Sequence, residues 1–297
     1  MADPLFSHRL AALAQALLPT RRMAVVDVGA NPLGDPPYAP LAEAGLAELI
    51  GFEPQPDAYK ALSATTPAHA RFINAAVGPA GTASLNIYPQ QSGLASLFKL
   101  REQTLSYLRR FQAQPGNASQ VPVTLDSLDA LGEVPAIDLL KLDVQGAELS
   151  VLQGGRTKLA QAEAVIVELR FFPLYEDEPT LADVHTELTD QGFGMHKLLD
   201  QNRFAVGSRH IDKLNRRRAR SQLIDGDAVY IRDLDRIDTK TDDALITLAL
   251  FSAGVWRSHD LVLRCLETLE DRGRAHSQAA SDYIAALPSD LRRAVPA

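Results

Sequence analysis

Cysteine is almost missing from this chain: Cys265 is the only one, so no intramolecular disulfide can form and nothing points to an oxidising compartment. A cytoplasmic location is the expectation. Basic charge is also short, with 30 Lys and Arg against 37 Asp and Glu and a formal charge of −7. That balance opposes a surface that tracks phosphates, so no nucleic-acid partner is expected and a small or neutral partner is easier to accommodate. Long apolar runs are lacking as well. The longest, Ala244–Trp256, falls short of the roughly 20 residues that span a bilayer, and it reads as a buried helix or a dimer surface, which leaves a homodimer open. Near the start, Leu10–Leu18 lies between Asp3 and Arg21-Arg22 without a convincing cleavage site, and reads as a short packing helix rather than a secretory signal. Internal repeats and low-complexity tracts are absent. So is the Gly-x-Gly-x-x-Gly spacing that lets backbone approach a pyrophosphate, which disfavours a dinucleotide.

What is present is enough to bury a full core: 297 residues, 46% apolar and 23% charged. Strand-like runs at Ala24–Val28, Glu48–Glu53, Arg71–Val77, Asp138–Asp143 and Ala164–Glu168 alternate with helix-like segments at Tyr38–Ala44, Asp57–Thr65, Ala147–Lys158 and Leu181–Gln191. Such alternation predicts an α/β fold with a doubly wound, mostly parallel sheet. Gly194–Leu199 and Ala228–Arg232 would close the sheet as an antiparallel pair. Between the third and fourth strands lie an extra strand at Ser84–Tyr88 and a polar segment, Gln112–Gln120, where a lid or substrate loop would fit. After Asp233 the periodicity turns helical, with Ala244–Trp256 and His259–Glu270. The expected organisation is therefore a domain over 1–235 and a C-terminal helical extension over 236–297. The cluster Arg216-Arg217-Arg218-Ala219-Arg220 stands out in an acidic chain, as a solvated face or a contact for an anionic substrate or surface.

Two stretches carry the chemistry. Val25-Val26-Asp27-Val28-Gly29-Ala30-Asn31 and Leu139-Leu140-Lys141-Leu142-Asp143-Val144-Gln145-Gly146-Ala147-Glu148 each read as an apolar strand that ends in a carboxylate and turns on a glycine. In an open α/β sheet, ligands collect at those carboxyl ends. A carboxylate at Asp27 would repel a pyrophosphate but suits a ligand that carries an ammonium and a sulfonium, as S-adenosylmethionine does. Glu53, in Gly51-Phe52-Glu53-Pro54, is placed to accept hydrogen bonds from both ribose hydroxyls. For each acid taken singly, the competing role is a helix N-cap or a turn.

These residues give the chain its resemblance to class I S-adenosylmethionine-dependent methyltransferases of the FkbM family. Asp27–Asn31, Gly51–Pro54, Asn74-Ala75-Ala76-Val77-Gly78 and Lys141–Glu148 match that family's blocks in order, over about Val25 to Gln191. The last block is the specific one. The resemblance implies a Rossmann-like seven-stranded sheet and O-methylation of a hydroxyl on a small molecule or sugar, with a small-molecule or carbohydrate acceptor as partner. It also implies a cofactor crevice formed by Asp27, Gly29, Ala30, Asn31, Glu53, Pro54, Asn74, Ala75 and Asp143. Gln145 departs from the family, which commonly carries glutamate there, and the first loop, Pro32–Tyr38, is longer than usual.

Asp35-Pro36-Pro37-Tyr38 spells a motif with which amino-methyltransferases grip a flipped base. It follows the first strand, however, while Asp143 holds the fourth-strand position where that motif belongs, so a rigid turn is the better reading. A hydroxyl nucleophile needs a base within hydrogen-bond reach. Asp143 is the first candidate; Glu148 is the second, with helix capping as its competing role; His185, in a polar helix after Phe171-Phe172-Pro173-Leu174-Tyr175, is the third, and His196 in a strand has weaker support. No metal is expected to be required, since two acids without further spaced ligands do not make a site. The rival readings are an N-methyltransferase acting on a base or amine, and a non-catalytic cofactor-binding module whose C-terminal helices form a partner interface.

Overall fold

The computed structural model describes residues 6–32, 34–88, 92–108, 115–215 and 217–293. The chain gathers into two compact units. One holds Ala24–Gly34 and Leu49–Arg232; the other holds the chain up to Met23, Asp35–Glu48 and the chain from Asp233 on. In order, the first elements are α1 (Phe6–Leu17), β1 (Met23–Val28), α2 (Ala39–Glu43), β2 (Ala47–Phe52), α3 (Pro56–Ala64), β3 (Ala70–Ile73), β4 (Ala76–Val77) and β5 (Gly81–Ile87). They are followed by α4 (Glu102–Leu108), β6 (Ser119–Asp126), β7 (Leu139–Leu142), α5 (Glu148–Gln153), α6 (Arg156–Leu159), β8 (Ala164–Arg170) and α7 (Leu181–Asp190). The last are β9 (Phe193–Leu198), β10 (Asn202–Phe204), β11 (Gln222–Arg232), α8 (Asp242–Gly254), α9 (His259–Asp271) and α10 (Ala279–Ala286).

The main sheet runs β10-β11-β8-β7-β1-β2-β3, with β9 also on β11. β7 pairs parallel with β1 and β8, β2 pairs parallel with β3, and β11 lies antiparallel to β8, β9 and β10. This is a Rossmann-like α/β sheet with eight strands rather than the expected seven. The extra count arises at the edge, where one strand is broken: β9 pairs with Ala228–Arg232 and β10 with Gln222–Asp225. Residues 199–201 bulge between them, seated on Gly226, where a Cβ would lie 2.3 Å from the Asp200 carbonyl oxygen. The expected antiparallel closing pair is therefore present in β9 and β11.

The period-2 alternation of strands separates two faces. Val26, Val28, Leu140, Leu142, Val165, Val167, Ala228 and Tyr230 share one apolar core with Val151, Leu152, Leu159, Val184 and Leu188 of α5, α6 and α7. Each such side chain, fully buried, contributes about 1.5–3 kcal/mol. The alternate positions are apolar at Val25, Leu139, Ile166 and Val229, and polar toward the carboxyl ends of the parallel strands and the start of β11, at Asp27, Lys141, Glu168, Arg170, Asp225 and Asp227. α7 starts on a capping box in which the Thr180 N–H donates to Asp183 at 2.8 Å. The helix expected over Ala147–Lys158 is two, broken at Gly154-Gly155, where a Cβ on Gly155 would meet Leu128 at 2.8 Å.

Two local readings need correction. The strand expected over Arg71–Val77 divides after Ile73: β3 joins the main sheet, and β4 joins a separate three-stranded sheet of order β4-β6-β5. The stretch read as polar, Gln112–Gln120, runs at its end into an unforeseen strand, β6 (Ser119–Asp126), paired along its length with β5; Gln112, Ala113 and Gln114 lie outside the described residues, as do Leu33 of the first loop and Arg216 of the basic cluster. In the helical unit, α8 is buried on every side from Leu245 to Gly254, with α1, α2 and α9 packed on it. That covers within one chain the apolar surface that had left a homodimer open. Among the described residues, no helix is long and apolar enough to cross a membrane.

Candidate functional site

The carboxyl ends of β1, β2 and β7 are tied into one platform by main-chain hydrogen bonds. Gly29 and Ala30 both donate to the Phe52 carbonyl, at 2.9 and 3.0 Å, and Asp143 donates to the Val28 carbonyl at 3.0 Å. Gly29 adopts φ +91°, and a Cβ there would lie 1.9 Å from the Asp143 carbonyl oxygen, so only glycine allows the first turn to pass under the end of β7. Asn31 follows, half-buried, and Ala30 is buried. Pro54 is half-buried beside Glu53, while Asn74 reaches back to donate to the Glu53 carbonyl at 2.8 Å, with Ala75 next to it.

Three acids end these strands. Asp27 and Glu53 are buried, and Asp143 keeps a side-chain exposure of 37%. Glu53 accepts the Gln55 N–H at 2.7 Å, yet burial, followed by the neighbouring charges of Asp27 and Asp143, pushes its carboxyl from 4.5 up to about 7. Lys141 supplies the compensating cation. Its Nζ lies 3.9 Å from Asp27 and 3.4 Å from Asp143. Burial alone would favour the neutral amine, but Asp27, Asp143 and Asp227 outweigh it and hold Lys141 protonated. Desolvation in turn pushes Asp227 up to about 6, against the pull of Lys141.

The loop after β7 reverses on Gln145 and Gly146, at φ +54° and +106°. Glu148 fixes that reversal: its carboxylate accepts from the Val144 N–H at 3.0 Å and from the Gly146 N–H at 2.9 Å. Burial raises the Glu148 carboxyl despite nearby Arg170. Gln145 bridges two acids, its Nε2 donating to Asp143 and to Glu168 at 2.9 Å each, while its Oε1 accepts from the Tyr175 hydroxyl at 2.8 Å. Glu168 belongs to a buried ion cluster. Arg170 donates to Glu168 and Asp225 at 2.8 Å and to Glu178 at 3.1 Å. Burial drives the Glu168 carboxyl well above the usual range, with Arg170 opposing.

Asp27, Gly29, Ala30, Glu53 and Asp143 thus come together at one strand edge, and Asn31, Pro54, Asn74 and Ala75 flank it. His185 does not join them. It lies exposed on α7 and pairs at 3.0 Å with the hydroxyl of Tyr230, whose ring belongs to the apolar core on the other face of the sheet. His196, in β9, is also away from the β1–β7 edge. Tyr38, the aromatic of the Asp35–Tyr38 stretch, is buried and opens α2. The stretch between β5 and β6 meets the one after β8: Arg101 donates to the Leu174 carbonyl at 2.8 Å, Glu176 to the Lys99 carbonyl at 2.8 Å, and Thr104 to the Pro173 carbonyl at 2.6 Å.

Sequence reasoning passed over Lys141, Glu168 and the Arg170 cluster, and marked Gln145 only as a departure from the family pattern. The signal for Lys141 was a cation inside an otherwise apolar strand, which needs a counter-charge to be buried. The donor set fits S-adenosylmethionine: buried carboxylates for an ammonium, a sulfonium and a ribose diol, and a glycine turn that leaves no side chain at the strand tip. Among the described residues, no group of three or more His, Cys, Asp or Glu is placed to hold a metal ion.

The family described as the methyltransferase FkbM domain matches residues 27–195. Similar solved structures include magnesium protoporphyrin IX methyltransferase from Synechocystis with bound SAM, at 15% identity over 76% of this chain and 80% of that one, TM-score 0.36. Another is precorrin-6y C5,15-methyltransferase from Geobacter metallireducens, at 10% identity over 78% of this chain and 93% of that one, TM-score 0.34. Likenesses at this level carry no argument about substrate. No curated protein matches the chain.

Proposed function

We propose that this chain, which belongs to the FkbM methyltransferase family, transfers a methyl group to a hydroxyl oxygen of a small molecule or sugar. S-adenosylmethionine is the methyl donor of the family. When bound, it would supply a methyl group activated for transfer by its sulfonium sulfur, which departs as the neutral thioether of S-adenosylhomocysteine. Asp27 and Glu53 hold the cofactor's cationic and diol groups. Gly29 and Ala30, fixed by the Phe52 carbonyl, set the floor on which it rests.

The observation that carries the O-methyl reading is Asp143. It is the one strand-tip acid of the three with an exposed face, so it can accept the acceptor's hydroxyl proton as the new carbon–oxygen bond forms. Lys141 and Gln145, at 3.4 and 2.9 Å, position its carboxylate. Glu148 acts as a positioning residue by holding the loop that carries Asp143 and Gln145. The location consistent with this chemistry and with the lone cysteine is the cytoplasm.

The test is Asp143→Asn, read as S-adenosylhomocysteine release with hydroxylated and with amine acceptors. The variant should keep cofactor binding and lose at least about 100-fold in turnover, the usual worth of a general base. Turnover with amines alone would favour N-methylation. Cofactor binding with no turnover on any acceptor would favour a non-catalytic module.

A further inference from the structure

We infer that the acceptor carries a phosphate group, and that the loop joining β10 to β11 is its binding surface; this rests on the methyltransferase reading above. Acids outnumber bases 37 to 30 across the chain, yet residues 203–221 hold seven Arg and Lys against one acid, Asp212. Arg203, Arg209, Lys213, Arg217, Arg218 and Arg220 are all exposed. The strand tips, by contrast, carry the acids Asp27, Glu53 and Asp143. Such a division of charge steers an anion to one end of a site and a cation to the other.

The register places this loop at the same edge of the sheet as the strand-tip acids. Asp225 of β11 pairs with Arg170, the last residue of β8, and β11 runs antiparallel to β8. Residues before Asp225 therefore extend past the carboxyl end of the parallel strands, the edge at which Asp27 and Asp143 stand. The loop is also anchored there: Gly207 donates to the Tyr107 carbonyl at 2.8 Å, and the Tyr107 hydroxyl donates to Gln222 at 3.4 Å. The Tyr107 ring stacks on Phe172 at 5.6 Å, and Tyr107 is 43% exposed. An exposed aromatic face next to a basic loop suits a hydroxylated ring that bears a phosphate: the aromatic takes the ring's apolar face, and arginines take the phosphate through paired N–H donors. The chemistry is that of a sugar phosphate or a nucleotide-linked sugar, so an enzyme that phosphorylates or activates a sugar must act before this one.

The experiment is calorimetric titration of the full chain, loaded with S-adenosylhomocysteine, with glucose 1-phosphate, glucose 6-phosphate and UDP-glucose, each against glucose. The same titrations are run on the surface variant Arg217→Ser/Arg218→Ser/Arg220→Ser, with circular dichroism confirming its fold. At least one phosphorylated probe should bind more tightly than glucose, weaken by about tenfold or more in the variant, and weaken as ionic strength rises from about 0.05 to about 0.5 M. S-adenosylhomocysteine affinity should be equal in both proteins. Equal binding of phosphorylated and neutral probes, or phosphate binding unchanged in the variant, would overturn the inference while leaving the methyltransferase reading intact. Loss in the variant of binding to vesicles of anionic lipid or to single-stranded RNA, without any sugar-phosphate preference, would overturn it too. Failure of S-adenosylhomocysteine to bind the wild type would overturn both.

Discussion

Glu53 carries a cost that function explains, and its size can be worked out. Burial and the charges of Asp27 and Asp143 lift its carboxyl from 4.5 to about 7. A folded pKa above the unfolded one means that the folded state binds the extra proton. The associated stabilisation is full below pH 4.5, fades as pH rises through 7, and amounts to about 3 kcal/mol for a rise of that size. Glu53→Gln removes the titration but can still accept the Gln55 N–H. The difference in urea unfolding free energy between wild type and Glu53→Gln, followed by circular dichroism without cofactor, should therefore change with pH: near its minimum at about pH 5, and favouring the variant by about 3 kcal/mol at about pH 8. The same variant should bind S-adenosylmethionine about 2 kcal/mol more weakly, because one carboxylate oxygen no longer accepts from the ribose diol. Parallel stability curves from pH 5 to 8 would refute the reasoning, since they would mean that Glu53 is solvated or already paired when folded.

Gly29→Ala should cost at least about 3 kcal/mol of stability and abolish cofactor binding, because φ +91° is unfavourable for alanine and its Cβ would lie 1.9 Å from the Asp143 carbonyl oxygen; thermal unfolding and calorimetry check both. Lys141→Met leaves Asp27 and Asp143 without their cation and should destabilise the protein by about 3 kcal/mol at neutral pH. An unfolding free energy equal to that of the wild type in urea titrations would contradict that role. Gln145→Glu places a third carboxylate between Asp143 and Glu168 and should shift the pH–rate profile for S-adenosylhomocysteine release upward, while Gln145→Ala should lower the rate without such a shift; identical profiles would show that the amide bridge is incidental.

The strand-tip acids were legible in the sequence because a strand that ends in Asp and turns on glycine leaves few ways to fold: Asp27, Glu53 and Asp143 arrive in register at one edge. The helices after Asp57, Leu181 and His259 were legible from their 3.6-residue period, and the one after Ala244 from an apolar run too long for a strand. What escaped reading depends on partners distant in sequence. Arg170 finds Glu178 eight residues on, but Asp225 only across β11, and no local pattern announces that pairing. β6 was missed because Val121, Val123 and Leu125 alternate with Pro122 and Thr124 in a segment whose surroundings are polar, and its partner β5 lies more than thirty residues earlier. His185 misled for the opposite reason. Its residue type suggests a base, but α7 packs Val184 and Leu188 on the apolar face of the sheet, which carries His185 away from Asp143.

The most direct measurement is calorimetric titration of the wild type and of Glu53→Ala with S-adenosylmethionine, S-adenosylhomocysteine and NAD. Binding of the first two to the wild type, no binding of NAD, and loss of the first two in a variant that remains folded by circular dichroism are the predicted results. A folded wild type that binds neither methyl donor nor its product, or that binds NAD instead, would contradict the assignment of the strand-tip acids to a methyltransferase crevice.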